Sequence, residues 1–407
     1  MIWRGATALA GAALRLAAPL AGPDWRERLA LAGPQVASGG IWLHAASVGE
    51  LTSVRVLAAE LARDFPLTVT TNSRTGRDLA RRSGWPCALA PLDVPQAVGR
   101  FLDRVEPAVM VTVENELWPN RSAMAEARGV AQVVVGARMS ARSAARWGRL
   151  PGLIGPMLAR IDALSAQDQA SEARLLALGL PEAALSARLN LKLLGPAQVM
   201  PGADGPDRAR TVLAASTHEG EDALMLDAFL AARAVQPDLR LILAPRHPER
   251  GDAVAGLIAA RGLGFARRSL GGRQGGGLDA PVLLADTLGE MADWYQAAGI
   301  CVTGGSFADH GGHTPWEPAA WRCAILHGPH VANHAGDYAD LDDTGAALAV
   351  TAGTLPAVLT GLVGDGGRQR AMGMAARKLL MVRAGDPAPL IARIRALARP
   401  ALAQTPA

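Results

Sequence analysis

The feature that most narrows the fold is a strand-then-helix alternation that runs from Gly39 to Leu178, breaks, and restarts at Val212. Short apolar runs at 41–45, 67–71, 88–92, 108–113, 132–135 and 161–166 are separated by segments with helical spacing, such as Leu51, Val54, Leu57 and Leu61. After the break, strand-like runs recur at 212–215, 239–244, 282–285, 300–303 and 323–326. Strands buried on both faces read as continuous apolar runs, and helices between them imply parallel strands with crossover connections. The break itself, GPAQVMPGADGPDR (195–208), holds three Pro and three Gly with little apolar content, which makes a linker. The expected architecture is α/β, with two Rossmann-like doubly wound domains facing a central cleft. Their bounds are 23–195 and 209–386, joined by a linker at 196–208 and followed by a basic helix and tail, 387–407.

Composition supports a folded chain. Half of the 407 residues are hydrophobic, which argues against disorder, and the length suits two cores. Cys87, Cys301 and Cys323 lack metal-type spacing, and the last two lie in apolar runs, so a reduced interior is expected. Net charge is only +4, but Arg far outnumbers Lys, and Arg grips phosphate and carboxylate in a planar fork. Residues 1–22 are apolar but interrupted by Arg4, Arg15 and Pro19, which disfavours a spanning helix. An interfacial helix in contact with a membrane is expected, the alternative being a plain core helix.

Ligands of doubly wound sheets sit at the carboxyl ends of the strands. The unusual residues fall there. In Cys301–His330, glycine pairs 304–305 and 311–312 stand between a strand and the helix opened by Pro315, Trp316, Glu317 and Pro318. Backbone N–H groups there are expected to meet an anion, and the Glu317 carboxylate a pair of sugar hydroxyls. Together they describe a nucleotide site. Arg246, after Pro245, is the natural phosphate fork, and 286–290 forms a further strand-to-helix corner. Ser216–Glu219 reads as a capping box and as a possible anion site. Glu50 reads equally as a general base or as an acid of a first helical turn. Alternation puts Glu114 and Glu116 on one face, with Arg138, Arg142 or Lys192 as candidate cations. The DxD at 340–342 and the histidines 327, 330 and 334 are poor metal signals, so no catalytic metal is expected.

Seven segments stand in one order: HAASVGE (44–50), ENELWPN (114–120), NLK (190–192), AASTHEGE (214–221), APRHPER (244–250), DTLGE (286–290) and GGSF…GGHTPWEPA (304–319). From residue 24 to 385 the chain resembles the 3-deoxy-D-manno-octulosonic acid (Kdo) transferases of lipopolysaccharide assembly. The resemblance implies a GT-B glycosyltransferase moving Kdo from CMP-Kdo to a lipid A precursor, with no cofactor, bound metal or nucleic acid. It further implies work at the cytoplasmic face of the inner membrane, in contact with its lipids. By position, Glu50 matches the general base, and Glu114 and Lys192 match residues assigned to transition-state stabilisation. Pro245, Arg246, Leu288, Gly289, Glu290, Thr314, Pro315, Trp316 and Glu317 match the CMP-binding positions. The chain departs from the family pattern at Thr314 (usually Asn), at Leu288 (often Met), and around NLK, which lacks the usual flanking Gly and Phe-Asp. The alternatives are a GT-B-fold sugar-nucleotide epimerase and a non-catalytic nucleotide-sugar-binding membrane protein. The arginines of 74–82 and 137–149 are equally readable as lipid-phosphate contacts and as solvated helix faces.

Overall fold

The computed structural model describes residues 2–17, 22–271 and 280–402. Two compact units divide the chain, one holding residues up to Gly195 together with those from Arg383 onward, the other holding Pro196–Val382. The described residues of each form one all-parallel sheet.

In the first unit the strands are β1 (Ile41–His44), β2 (Leu67–Thr71), β3 (Cys87–Leu89), β4 (Val109–Val113), β5 (Ala131–Ala137) and β6 (Ala163–Ala166). Their order is β3-β2-β1-β4-β5-β6. The chain builds outward from β1 to β3, then crosses back so that β4 pairs with the other side of β1. β1, β2, β4 and β6 are buried along their whole length, as a sheet covered on both faces requires. One covering layer is helix Pro95–Val105, whose Phe101 ring packs 4.6 Å from Trp42 of β1.

In the second unit the strands are β7 (Thr211–Thr217), β8 (Arg240–Pro245), β9 (Phe265–Arg267), β10 (Val282–Leu284), β11 (Ile300–Thr303), β12 (Ala324–His327) and β13 (Ala347–Ala349). Their order is β13-β12-β11-β7-β8-β10-β9. Met225, Leu226 and Phe229 of helix Glu221–Val235 fill the core on one face of this sheet. Trp294, Tyr295, Cys301 and Cys323 fill the other. The edge strands β9 and β13 were not expected, because each is only three residues long.

Both chain ends fold back on the first unit. Helix Ile2–Ala17 lies against helix Pro95–Val105 so closely that a Cβ on Gly11 would meet Gln96 Oε1 at 2.0 Å. Gln96 Nε2 donates to the Ala8 carbonyl (3.1 Å), and Asn120 Nδ2 donates to Thr7 Oγ1 (2.9 Å). The opposite face leaves Leu9 76% exposed. Among the described residues no helix is long and apolar enough to cross a membrane. Helix Ala388–Leu402 packs on the first unit. Leu390, Ile391 and Ile394 are buried, Arg393 donates to carbonyls of Ala183 (2.8 Å) and Leu185 (3.1 Å), and Arg395 pairs with Asp64 (2.6 Å).

Candidate functional site

In each sheet one pair of neighbouring strands leads off to opposite sides, and the crevice outside their carboxyl ends is where such sheets take ligands. In the first unit that pair is β1 and β4; in the second it is β7 and β11.

At the β1–β4 crevice, Ser47 caps helix Val48–Leu61 by accepting from the Glu50 N–H (3.2 Å). Glu50 reaches back: its Oε2 accepts from the Ala46 N–H (2.8 Å) and its Oε1 from the Ser47 hydroxyl (3.1 Å). Both readings of Glu50 therefore have a physical basis, because a capping carboxylate keeps lone pairs free. Partial burial raises its pKa first, Glu114 and Glu116 raise it further, and the Ala46 and Ser47 contacts oppose them. A carboxylate so poised suits a base.

Glu114 does not share a face with Glu116 by strand alternation. It stands at φ 57°, a left-handed conformation that ends the strand period and that non-glycine residues hold only under constraint from their surroundings. Beyond this turn Glu116 swings back to β1. It accepts from Trp118 Nε1 (2.8 Å) and lies 3.6 Å from Nε2 of buried His44. Trp42 Nε1 donates to Thr70 Oγ1 (2.8 Å), which shares a second hydrogen bond with His44 Nδ1 (3.0 Å) and so fixes the ring with Nε2 towards Glu116. Contact with His44 leads in holding the Glu116 pKa down to about 2, with Trp118 and Arg121 assisting. Burial and Arg121 push His44 to about 4, so its ring is neutral near pH 7. The cation beside Glu116 is thus buried Arg121, which donates to the Glu116 carbonyl, rather than Arg138, Arg142 or Lys192. Lys192 is exposed on helix Leu191–Ala197 and, among the described residues, contacts neither Glu50 nor Glu114. Leu191 seats that helix against Gly136 at the carboxyl end of β5, where a Cβ would lie 2.6 Å from Leu191 Cδ1.

The β7–β11 crevice differs from expectation in an instructive way. The N–H groups of the glycine turn are already used. Gly304 N–H donates to the Ala215 carbonyl (2.8 Å), and Gly305 and Phe307 donate to the carboxylate of buried Glu221 (2.7 and 2.9 Å). Glu221 also accepts from the His218 N–H (2.9 Å), so one acid fastens the ends of both strands. The capping box at 216–219 does not form. Thr217 stays in β7 with its hydroxyl on Asp222 (2.6 Å), Ser216 takes φ 56°, and the helix starts only at Glu221. Helix Trp316–Ala320 is a poor anion cradle as well: it spans five residues, Pro318 has no N–H, and the Trp316 N–H turns to Thr314 Oγ1 (3.4 Å). That contact is the place of Thr314 in the site.

Side chains remain. Arg246, exposed after Pro245 at the end of β8, has no carboxylate partner among the described residues, and its backbone N–H donates to the Thr217 carbonyl (2.9 Å). Glu317 is exposed with one oxygen accepting from Tyr295 OH (3.2 Å). Glu290 is already engaged by the Arg268 fork (2.7 and 3.0 Å) and by the Thr287 hydroxyl, whereas Leu288 is 77% exposed beside Gly289 at φ 88°. Asp286 is buried and closes the β9–β10 corner by accepting from Ser269 N–H and Oγ (2.9 and 2.7 Å). The DxD acid Asp342 bonds buried His327 (3.1 Å), and among the described residues no cluster of three or more His, Cys, Asp or Glu could hold a metal ion.

Gly304 sets the width of this crevice. A Cβ there would lie 2.3 Å from the Ser216 carbonyl oxygen, which as backbone of a central strand cannot swing aside. Gly304→Ala is expected to cost about 1–3 kcal/mol of stability, the range for overpacking, and to weaken nucleotide binding. Thermal melting and a nucleotide titration check both effects.

Two doubly wound parallel sheets, each with polar and charged side chains at its switch point, make this an α/β protein of the GT-B type. A UDP-N-acetylglucosamine 2-epimerase from Listeria monocytogenes shares this fold, with TM-score 0.51 and 12% identity over 91% of this chain and 98% of that one. The family model described as 3-deoxy-D-manno-octulosonic-acid transferase (kdotransferase) matches residues 23–194. Proteins named 3-deoxy-D-manno-octulosonic acid transferase are similar over nearly the whole length. The one from Bordetella pertussis is 37% identical (86% of each chain), and the one from Haemophilus influenzae is 33% identical (85% of this chain, 84% of that one). The chain belongs to the Kdo transferase family.

Proposed function

We propose that the protein transfers Kdo from CMP-Kdo to a hydroxyl of a lipid A precursor by a single displacement that inverts the anomeric centre. The observation that carries the mechanism is Glu50: a half-buried carboxylate at the β1–β4 crevice, with its pKa raised by burial and by two neighbouring acids. Glu50 takes the acceptor proton as the new glycosidic bond forms. Glu114 and Lys192 flank the sugar and stabilise the oxocarbenium character that grows as CMP leaves. The nucleotide is held by Pro245 and Arg246, by Leu288 to Glu290, and by Thr314 to Glu317. Within that set, exposed Arg246 takes the phosphate, open Glu317 the ribose hydroxyls, and exposed Leu288 an apolar face of the base; engaged Glu290 positions the turn. The leaving phosphate is met by fixed side-chain charge, so no step in this reading uses a metal.

Membrane contact belongs to the same proposal. The outer face of helix Ile2–Ala17 leaves Leu9 uncovered, and Trp3 and Trp25 are exposed. Of the two basic segments, 74–82 is partly spent inside the unit: Arg77 pairs with Asp24 and Glu27, each at 3.0 Å. Arg142, Arg146 and Arg149 of the other segment are exposed and lack a carboxylate partner among the described residues, which suits anionic headgroups.

The test is a mass spectrum of a tetraacylated lipid A precursor after incubation with the protein and freshly generated CMP-Kdo. A product heavier by one or more Kdo units, with an anomeric NMR signal inverted relative to the donor, is the expected result. Intact acceptor beside an isomerised sugar nucleotide would establish an epimerase instead. Intact donor and acceptor with folded protein would leave a binding protein.

A further inference from the structure

Four histidines gather at the β7–β11 crevice. The His218 ring stacks on His310 (centroids 4.1 Å apart, 19° between planes), lies edge to edge and nearly coplanar with His313 (5.2 Å, 13°), and meets His247 at a steep angle at 6.0 Å. His218 Nε2 lies 3.0 Å from His313 Nε2. Both rings cover Gly305, where a Cβ would sit 3.2 Å from His313 Cδ2 and 3.5 Å from His218 Cδ2. Tyr338 fixes the second histidine by donating to the His313 carbonyl (2.8 Å). Arg246 is close enough to act on His313 electrostatically.

Two facing imidazole nitrogens at 3.0 Å admit one hydrogen between them. In the neutral pair one ring donates its Nε2–H and the other accepts. One more proton, added at the free Nδ1 of the donor ring, gives an imidazolium–imidazole bond that keeps this geometry and strengthens it. A second added proton would set two N–H groups against each other. The pair therefore switches between charge zero and +1.

The anion donors first expected at this crevice are occupied: Glu221 holds the turn N–H groups, and the five-residue helix offers few. We infer that the His218–His313 pair, beside Arg246, is the seat of the nucleotide phosphate and takes up one proton when the phosphate binds. This rests on the CMP-nucleotide reading above. The groups facing the pair explain why the proton arrives only with the ligand. His218 is held below the ordinary histidine range by burial and then by His310, with His247 and Arg250 adding to this and Glu221 opposing. Burial, His218, Arg246 and His334 act on His313 in the same direction, again against Glu221. Free, the pair is uncharged near neutral pH; an anion beside it reverses the balance.

The test uses cytidine 5′-(methyl phosphate), a phosphodiester that does not itself titrate near neutrality. Its binding to the full chain is measured by calorimetry between pH 6 and 8, in buffers of different ionisation enthalpy. The expected result is uptake approaching one proton per nucleotide and an affinity that falls by up to about tenfold per pH unit as the pH rises. His313→Gln and His218→Asn should each flatten this pH dependence and abolish uptake. Arg246→Ala should weaken binding across the range while uptake persists. Binding without proton uptake overturns the inference and leaves the nucleotide site standing, whereas no binding at any pH overturns both. Uptake kept in both histidine variants but lost in Arg246→Ala also overturns it.

Discussion

Replacing Glu50 with glutamine is expected to slow Kdo transfer by about 10²–10⁴-fold, the range supplied by a general base, with nucleotide affinity unchanged. Glutamine is the informative choice because its side-chain oxygen still accepts from the Ala46 N–H, so the turn that leads into helix Val48–Leu61 keeps its tie. Alanine would remove the Ala46 and Ser47 contacts of the side chain together with the base and confuse the two. The pH profile gives an independent check. Burial and two acidic neighbours raise the Glu50 pKa, and only its deprotonated form can take a proton. Activity must then be lost as the pH falls through that raised value, placing the acid limb of kcat/KM above the ordinary glutamate range. Single-turnover rates with saturating donor measure the first effect. Near wild-type turnover in Glu50→Gln would reduce the residue to a helix cap.

The largest expected loss of stability comes from a residue far from the reacting groups. Arg208, 6% exposed, donates to the carbonyls of Tyr295 (3.0 Å), Trp321 (2.6 Å) and Arg322 (3.1 Å), with a further short bond to Gln296, and pairs with Asp204 (3.2 Å). It ties the end of helix Met291–Ala297 to the turn after helix Trp316–Ala320, which carries Glu317. Arg208→Met fills much of the volume but strands several carbonyls, so it should cost on the order of 3–5 kcal/mol. For a unit of this size that lowers the melting temperature by about 6–20 °C. Hydrogen exchange should rise at 291–298 and 316–322 first, and nucleotide affinity should fall with it. A melting temperature within about 2 °C of wild type would mean that water satisfies those carbonyls.

Much of the fold was legible because parallel strands covered on both faces must be apolar throughout. Runs such as Val109–Val113 and Ile300–Thr303 announce themselves, whereas Phe265–Arg267 and Ala347–Ala349 are too short to do so. The candidate site was legible in outline for a related reason: a buried strand must end where charge and glycine begin, so Glu50, Glu114, Arg246 and Glu317 marked the carboxyl ends of the sheets.

What the sequence by itself determined is therefore the alternation of elements, the strand ends where charge gathers, and the family. Which groups at those edges are free was decided only by the tertiary structure. Glu221 occupies the N–H of Gly305, 84 residues away, and His218 meets His313 across 95 residues. Arg121 reaches the Glu116 carbonyl, and the left-handed turn at Glu114 cancels the strand alternation there. Local periodicity reports whether a side chain is buried. It carries no record of which distant partner has already taken a hydrogen bond, because that depends on two crossovers bringing separate strand ends to one crevice.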